Sequence, residues 1–376
     1  MPGESLSALL VDGDLVVAAN GTVTWVAPDG RFVAFGHPFL SLGEVDLAAV
    51  SAEVVTPISS LAQSFKLSRP SGHPTWRLTR DRDAGVAGRS DRPAEMVPVT
   101  VRIAADGSPA SSYSFRVANH PKILGPLLAI VLDAATTAGD PSPRERTVRY
   151  RVALETAAGT IALEEAASGM RARETAILTA STLAGLVADN EFEEPAVKRV
   201  EVDLRSSPGE RRLKIVDAAL SRRRAAPGET VSVAVRLRDR RGEETTRVLH
   251  VAIPRSAPEG KGTVVVGDGN SATSLRLAVL SPSEPESLDD LRKWLGAFLP
   301  PTRLWAGLAV ATRGAAVAGT TVESLPPTAA ALLESPAGAG GPHGVDARLL
   351  SEDGADFDRP LSGLVRLELE IERPRS

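Results

Sequence analysis

The sequence predicts a mainly β protein with a few helices, an α+β chain. A small barrel or sandwich comes first and an immunoglobulin-like β-sandwich follows. Three observations carry that prediction. Short apolar, β-branched runs recur through the first 120 residues, separated by turn residues. Two segments, 122–138 and 171–189, change to helical spacing. A turn at Pro227-Gly228-Glu229 leads into the alternation Val231, Val233, Val235, Leu237, the pattern of a sandwich strand.

Composition sets the outer limits. The chain has 376 residues, more than one ordinary core accommodates. The expected divisions are 1–120, a mixed α/β segment over 121–206, the sandwich over 207–270, and an α+β segment over 271–376. Hydrophobic residues make up 43% and aromatic residues only 4%, so the cores must be built from Val, Leu, Ala and Ile. The net charge is −4 with both signs interleaved, which argues against a nucleic-acid surface. No cysteine is present, which excludes disulfides, zinc thiolate sites and cysteine nucleophiles. That usage suits the cytoplasm or an exported bacterial protein. Met1-Pro2-Gly3-Glu4-Ser5 has no basic or apolar leader character, so no signal peptide is expected. No apolar run reaches the roughly 18 residues of a membrane span. The most apolar stretch is 123–131.

In chain order, 6–11 and 15–19 read as strands around Asp12-Gly13-Asp14. Next, 21–26 and 31–35 flank Ala27-Pro28-Asp29-Gly30, a β-hairpin signal. The second strand delivers Gly36-His37-Pro38-Phe39. Ser41 to Asp46 reads as a loop with two carboxylates, and 48–60 as a strand. A strand at 76–79 precedes a charged turn and two spaced glycines over 80–88. A hairpin follows at 97–103 and 112–117. The first helix carries Pro126 near its start and Gly139 as a stop. The second places Ile177, Leu178, Leu183, Leu186 and Val187 on one side. Strands are expected at 146–154, 160–163 and 197–204. Beyond the sandwich strands, 287–299 is a short amphipathic helix with Ser287 as N-cap. The run 337–341 is a Gly/Ala linker, and 364–371 closes the chain as a strand.

The chemistry rests on one histidine. A histidine where a strand stops is suited to proton transfer near neutral pH, but from its residues alone the structural role of a histidine packed at a strand end is the favoured reading. His37, His73, His120, His250 and His343 never fall at metal-ligand spacing. His250 reads as structural and His343 as solvated in the linker. No G-x-S-x-G elbow exists, and Ser71-Gly72, Ser168-Gly169 and Ser362-Gly363 lack a glycine-rich frame. Gly267-Asp268-Gly269 reads as a turn, with no strand-loop-helix phosphate cradle after it. No cofactor or metal is implied.

Gly21-Thr22-Val23-Thr24 followed by Gly36-His37-Pro38-Phe39 resembles the SpoIVB-type serine peptidase family, in its large exported bacterial members. Ala52-Glu53-Val54-Val55-Thr56, Ser64-Phe65-Lys66-Leu67 and Asp81-Arg82-Asp83-Ala84-Gly85-Val86-Ala87-Gly88 extend the resemblance. It is specific over roughly residues 3–120, and looser through Pro227-Gly228-Glu229-Thr230 and Leu325-Pro326-Pro327. It implies a chymotrypsin-like barrel, here partial, with His37 at the general-base position and a protein or peptide substrate. The family's nucleophile motif, Gly-Met-Ser-Gly-Ser-Pro, does not occur in this chain. In the exported relatives the serine segment precedes the histidine segment. Glu44 and Asp46 are the nearest acids in sequence, and Ser41, Ser59 and Ser60 the nearest hydroxyls.

Three readings follow. The chain is the histidine-bearing portion of a truncated or split peptidase, inactive as given, whose partner is the missing N-terminal serine-bearing segment. Alternatively, it is a noncatalytic exported β-rich scaffold. The third reading is an unrelated binding protein with an immunoglobulin-like module. The first places the complete protein in the periplasm or outside the cell. It also expects residues 6–117 to form a partly open barrel or sandwich with an exposed apolar edge where the absent half would pair, so that a closed barrel without such an edge counts against truncation.

Overall fold

The computed structural model describes residues 2–59, 65–139, 144–191, 197–280, 285, 287–317, 320–322 and 343–372. Ser60, Ser64, the linker at 337–341 and Leu325-Pro326-Pro327 lie outside the described residues. The fold is mainly β with four helices among the described residues. Two compact units are present. The first comprises 1–142, 150–162 and 174–205, and the second 143–149, 163–173 and 206–376.

The first unit begins with nine strands: β1 (Ser5–Gly13), β2 (Val17–Val26), β3 (Arg31–Ala34), β4 (Gly43–Ile58), β5 (Phe65–Pro70), β6 (Trp76–Arg82), β7 (Gly85–Arg89), β8 (Met96–Ala105) and β9 (Ser111–Ala118). Along the chain come next α1 (Pro121–Gly139), β10 (Arg146–Thr156), β11 (Gly159–Gly169), α2 (Ala172–Ala188) and β12 (Arg199–Pro208), of which β10, β11, α2 and β12 each have an end assigned to the second unit. The strands form one sheet in the order β11-β10-β12-β8-β9-β1-β2-β3-β7-β6-β4-β5. A further pairing of β1 with β4, Leu6↔Ser51 through Leu9↔Ala48, closes β1-β2-β3-β7-β6-β4 into a six-stranded barrel. The barrel is therefore closed, where an open one was expected. Its long β4 supplies the closing edge.

Register explains what fills the barrel. Pairing puts Leu6, Ala8, Val23, Phe32, Ala34, Leu47, Ala49, Leu78 and Val86 on one face, and all are buried. Successive strand residues point to opposite faces, so this common face is the interior. The interior is aliphatic around Phe32, as a chain poor in aromatics requires. Phe32 lies over Gly88, where a Cβ would come within 2.2 Å of the ring. On the outer face, Leu9 and Ala48 pack with Ala94, Ala18 and Met96.

Several boundaries differ from the sequence reading. The runs 15–19 and 21–26 are one strand, β2. Glu44 and Asp46 lie within β4 rather than in a loop. The charged segment after Thr79 is still strand, and the turn is Asp83-Ala84. The β4–β5 extension runs beyond the barrel pairings and exposes Val54, Val55, Ile58, Phe65 and Leu67. α1 is long and apolar enough to cross a membrane by length and composition, but it buries Leu124, Leu127, Leu128, Val131 and Leu132 in the protein. α2 departs from its expected face. It buries Ala172, Ala176, Ala180, Leu183, Ala184 and Val187 and leaves Leu178 67% exposed. The close crossing with α1 selects small residues: a Cβ on Gly125 would meet the Ser181 carbonyl oxygen at 2.7 Å.

The second unit contains β13 (Leu213–Leu220), β14 (Arg224–Ala225), β15 (Thr230–Arg238), β16 (Glu244–Ala252), β17 (Gly260–Asp268), α3 (Gly269–Leu280) and α4 (Leu288–Gly296). It ends with β18 (Arg303–Val317), β19 (Thr320–Val322), β20 (His343–Asp356), β21 (Leu361–Ser362) and β22 (Leu364–Ile371). One sheet runs β16-β15-β13-β21. The other runs β14-β22-β17-β18-β19, with β20 also on β18. Val231, Val233, Val235 and Leu237 are fully buried between them, as alternation requires. The facing layer, Val264, Val266, Leu304, Leu308 and Leu369, comes largely from beyond residue 270. Ser287 does cap α4, accepting from the Asp290 N–H at 3.1 Å. A strand followed by a helix does surround Gly267-Asp268-Gly269. Asp268 there accepts from Ser271 N at 2.8 Å and Gly363 N at 3.0 Å, so the protein's own carboxylate occupies the start of α3.

Candidate functional site

The hairpin that leads to His37 forms as its turn chemistry requires. Gly30 has φ 81°, its N–H reaches the Ala27 carbonyl at 3.1 Å, and Asp29 takes both the Arg31 N–H and its guanidinium. After β3 the chain turns sharply. Phe35 and Gly36 are both left-handed, with φ 74° and 73°. For a phenylalanine that backbone costs roughly 1–2 kcal/mol. Two contacts hold it. The Phe35 N–H donates to the Thr22 carbonyl at 2.9 Å. The ring lies against Gly21, where a Cβ would fall 1.9 Å from Cδ1. Gly21 and Gly36 therefore serve one purpose: they let the strand end fold back and present the next residue. His37 follows, exposed, with its ring 5.9 Å from that of Phe35. Phe35 in turn meets Phe39 edge-on at 5.8 Å.

Among the described residues the His37 ring has one hydrogen bond: Nδ1 lies 2.7 Å from the Pro38 carbonyl oxygen. A carbonyl only accepts, so Nδ1 carries a proton, and in the neutral ring Nε2 is then the acceptor. This is the form a general base needs.

The segment after His37 is clamped. Asp81, in β6, is 2% exposed. One of its oxygens accepts from Phe39 N at 2.7 Å, and the other from Leu40 N at 2.7 Å and Leu42 N at 3.2 Å. Burial acts to raise this carboxyl, but hydrogen bonds from the Phe39, Leu40, Leu42 and Ser41 amides outweigh it and hold it below its ordinary value. Nothing in composition or spacing singled out Asp81. Only its place in the Asp81-Arg82-Asp83 stretch pointed to it.

The expected acids are engaged elsewhere. Glu44 faces Arg80 at 3.9 Å. Asp46 pairs with Arg77 at 3.3 Å and Arg92 at 3.0 Å. Neither touches the His37 ring. Ser41 is left-handed, φ 55°, in the clamped segment, and Ser59 follows the end of β4. Among the described residues no serine hydroxyl hydrogen-bonds His37.

The other histidines do different work. His120 precedes α1 and accepts from Lys122 N at 3.3 Å. Burial first, and then the Lys122 charge, push it below its ordinary value against the pull of Asp189. His73 is exposed. His343 opens β20 rather than sitting in a linker. His250 and Ser232 are cross-strand neighbours with Nδ1 3.3 Å from Oγ. They lie on the outer face of the sheet, and the His250 amide, on the edge strand, donates to the Asp353 carboxylate at 2.7 Å. The grooves of about 470 and 800 Å³ belong to the second unit and do not include His37. No cluster of potential metal ligands occurs among the described residues.

Compared with protein-family models, curated proteins and solved structures, the chain matches none.

Proposed function

We propose that this chain is the histidine-bearing part of a SpoIVB-type serine peptidase, chymotrypsin-like in its barrel, and that it does not hydrolyse peptide bonds alone. The observation that carries the proposal is His37: exposed, held with Nε2 as acceptor, and without a serine hydroxyl in reach among the described residues. A base accelerates acyl transfer only by activating a nucleophile within hydrogen-bond distance. The nucleophile is then supplied by a serine-bearing segment outside these residues, and the substrate is a protein or peptide. The second unit's two facing sheets and its Pro227-Gly228-Glu229 entry support an immunoglobulin-like reading. The parallel pairings of β21 with β13 and β14 with β22 depart from a simple form of it.

A second reading, a noncatalytic exported scaffold or binding protein, draws support from the barrel's closure on its own strands. Labelling with a serine-directed fluorophosphonate tests both. The isolated chain should not label. Adding the serine-bearing segment should give labelling and hydrolysis that His37→Ala abolishes, while a scaffold gives neither. Stoichiometric, His37-dependent labelling of the isolated chain would overturn the first reading.

A further inference from the structure

A general-base histidine needs an acid partner to orient its ring and stabilise the imidazolium. The carboxylates nearest in sequence are committed to arginines. We propose that Asp81 is the acid partner of His37 and acts through one peptide group, as a positioning residue. This inference rests on reading His37 as a base.

The geometry is a relay of two hydrogen bonds across one plane. The peptide joining Pro38 to Phe39 contributes the Phe39 N–H and the Pro38 carbonyl. Asp81 accepts from that N–H at 2.7 Å. His37 Nδ1 donates to that carbonyl at 2.7 Å. No peptide bond among the described residues is cis, so the N–H and C=O of this unit point in opposite directions. Fixing one end with a buried carboxylate therefore fixes the direction of the other. A carboxylate on the N–H also polarises the amide and strengthens its carbonyl as an acceptor. Both effects favour a proton on Nδ1 and leave Nε2 free. The further bonds from Leu40 and Leu42 to Asp81 prevent the peptide from turning over. The left-handed Phe35 and Gly36 bring the His37 ring back onto this peptide. The acid and the base thus lie on the same barrel, coupled without direct contact.

The test is the tautomer of neutral His37, read from its ring nitrogen resonances in the full chain. Wild type should carry its proton on Nδ1. A ring protonated on Nε2 would overturn the proposal at once. Asp81→Asn should lose this preference and give the mixture of a free imidazole. Phe39→Pro removes the single coupled N–H and keeps the carboxylate, and it should do the same. It also serves where Asp81→Asn does not fold. Leu78→Ala loosens the same strand without touching the relay, and it should keep the wild-type tautomer. A folded Asp81→Asn or Phe39→Pro chain that retains the wild-type tautomer refutes the coupling. So does a Leu78→Ala chain that loses it. A reconstituted pair that fails to hydrolyse while the tautomer persists removes the peptidase reading and leaves this one.

Discussion

Glu165 gives a stability prediction that can be worked from its surroundings. It lies in β11, half-buried, with no ion-pair partner among the described residues. Burial pushes its carboxyl up from 4.5 to about 7, against a weaker opposing hydrogen bond from the Ala166 amide. The native state therefore holds this proton more tightly than the unfolded chain does. Stability is undiminished below about pH 4.5 and declines as pH rises toward 7. At about 1.36 kcal/mol per unit, the full penalty above that window is roughly 3 kcal/mol. Glu165→Gln removes the charge and keeps the shape. The variant should match wild type at pH 4.5 and exceed it by about 2–3 kcal/mol at pH 8. Urea unfolding of both proteins at pH 4.5, 6 and 8 measures the gap. A gap that stays constant across pH would refute desolvation as the cause, since a packing effect has no titration.

Three further substitutions probe the packing. Gly21→Val places a side chain in the volume of the Phe35 ring, so it should cost about 2–4 kcal/mol of barrel stability and shift the His37 resonances; thermal melting with NMR reads both. Val233→Asp puts an unpaired charge at a fully buried position and should cost about 4 kcal/mol or more. Wild-type melting of that variant would mean that the strand's register is wrong. Leu178→Ser, on the exposed side of α2, should change stability by less than about 0.5 kcal/mol, where a buried leucine would cost several times more.

Period-two alternation made β15 and β22 legible, because each has one buried face and one wet face. The hairpin at Pro28-Asp29-Gly30 was legible from turn chemistry. Sequence reasoning failed where contact between elements decides. Leu178 looks like a core residue by spacing, yet α1 approaches α2 so closely at Gly125 that alanines fill the contact. α3 was missed because Asp268 resembles a turn residue, although it caps a helix. The facing layer of the sandwich comes from strands far along the chain, and no local pattern announces such pairing. At the site, Gly21, Gly36 and His37 could be read as a motif. Asp81 stood in the Asp81–Gly88 stretch, but its role could not be read, because it depends on three amides some forty residues away in sequence, brought together by the β4–β6 pairing.

Closure of the barrel bears on the missing nucleophile. An open apolar edge was expected on the premise that absent strands belong to the same barrel as His37. In a chymotrypsin-like double barrel that premise is unnecessary, because base and nucleophile can reside on separate barrels, each closed on itself. Closure of β1-β2-β3-β7-β6-β4 lends support to the scaffold reading, although a catalytic half whose nucleophile sits on a separate barrel would also be closed. The turn that carries His37 is strained: Phe35 is left-handed, and strain of this kind persists only where surrounding contacts enforce it. Under the peptidase proposal, a nucleophile from outside these residues would have to come within hydrogen-bond reach of His37 Nε2.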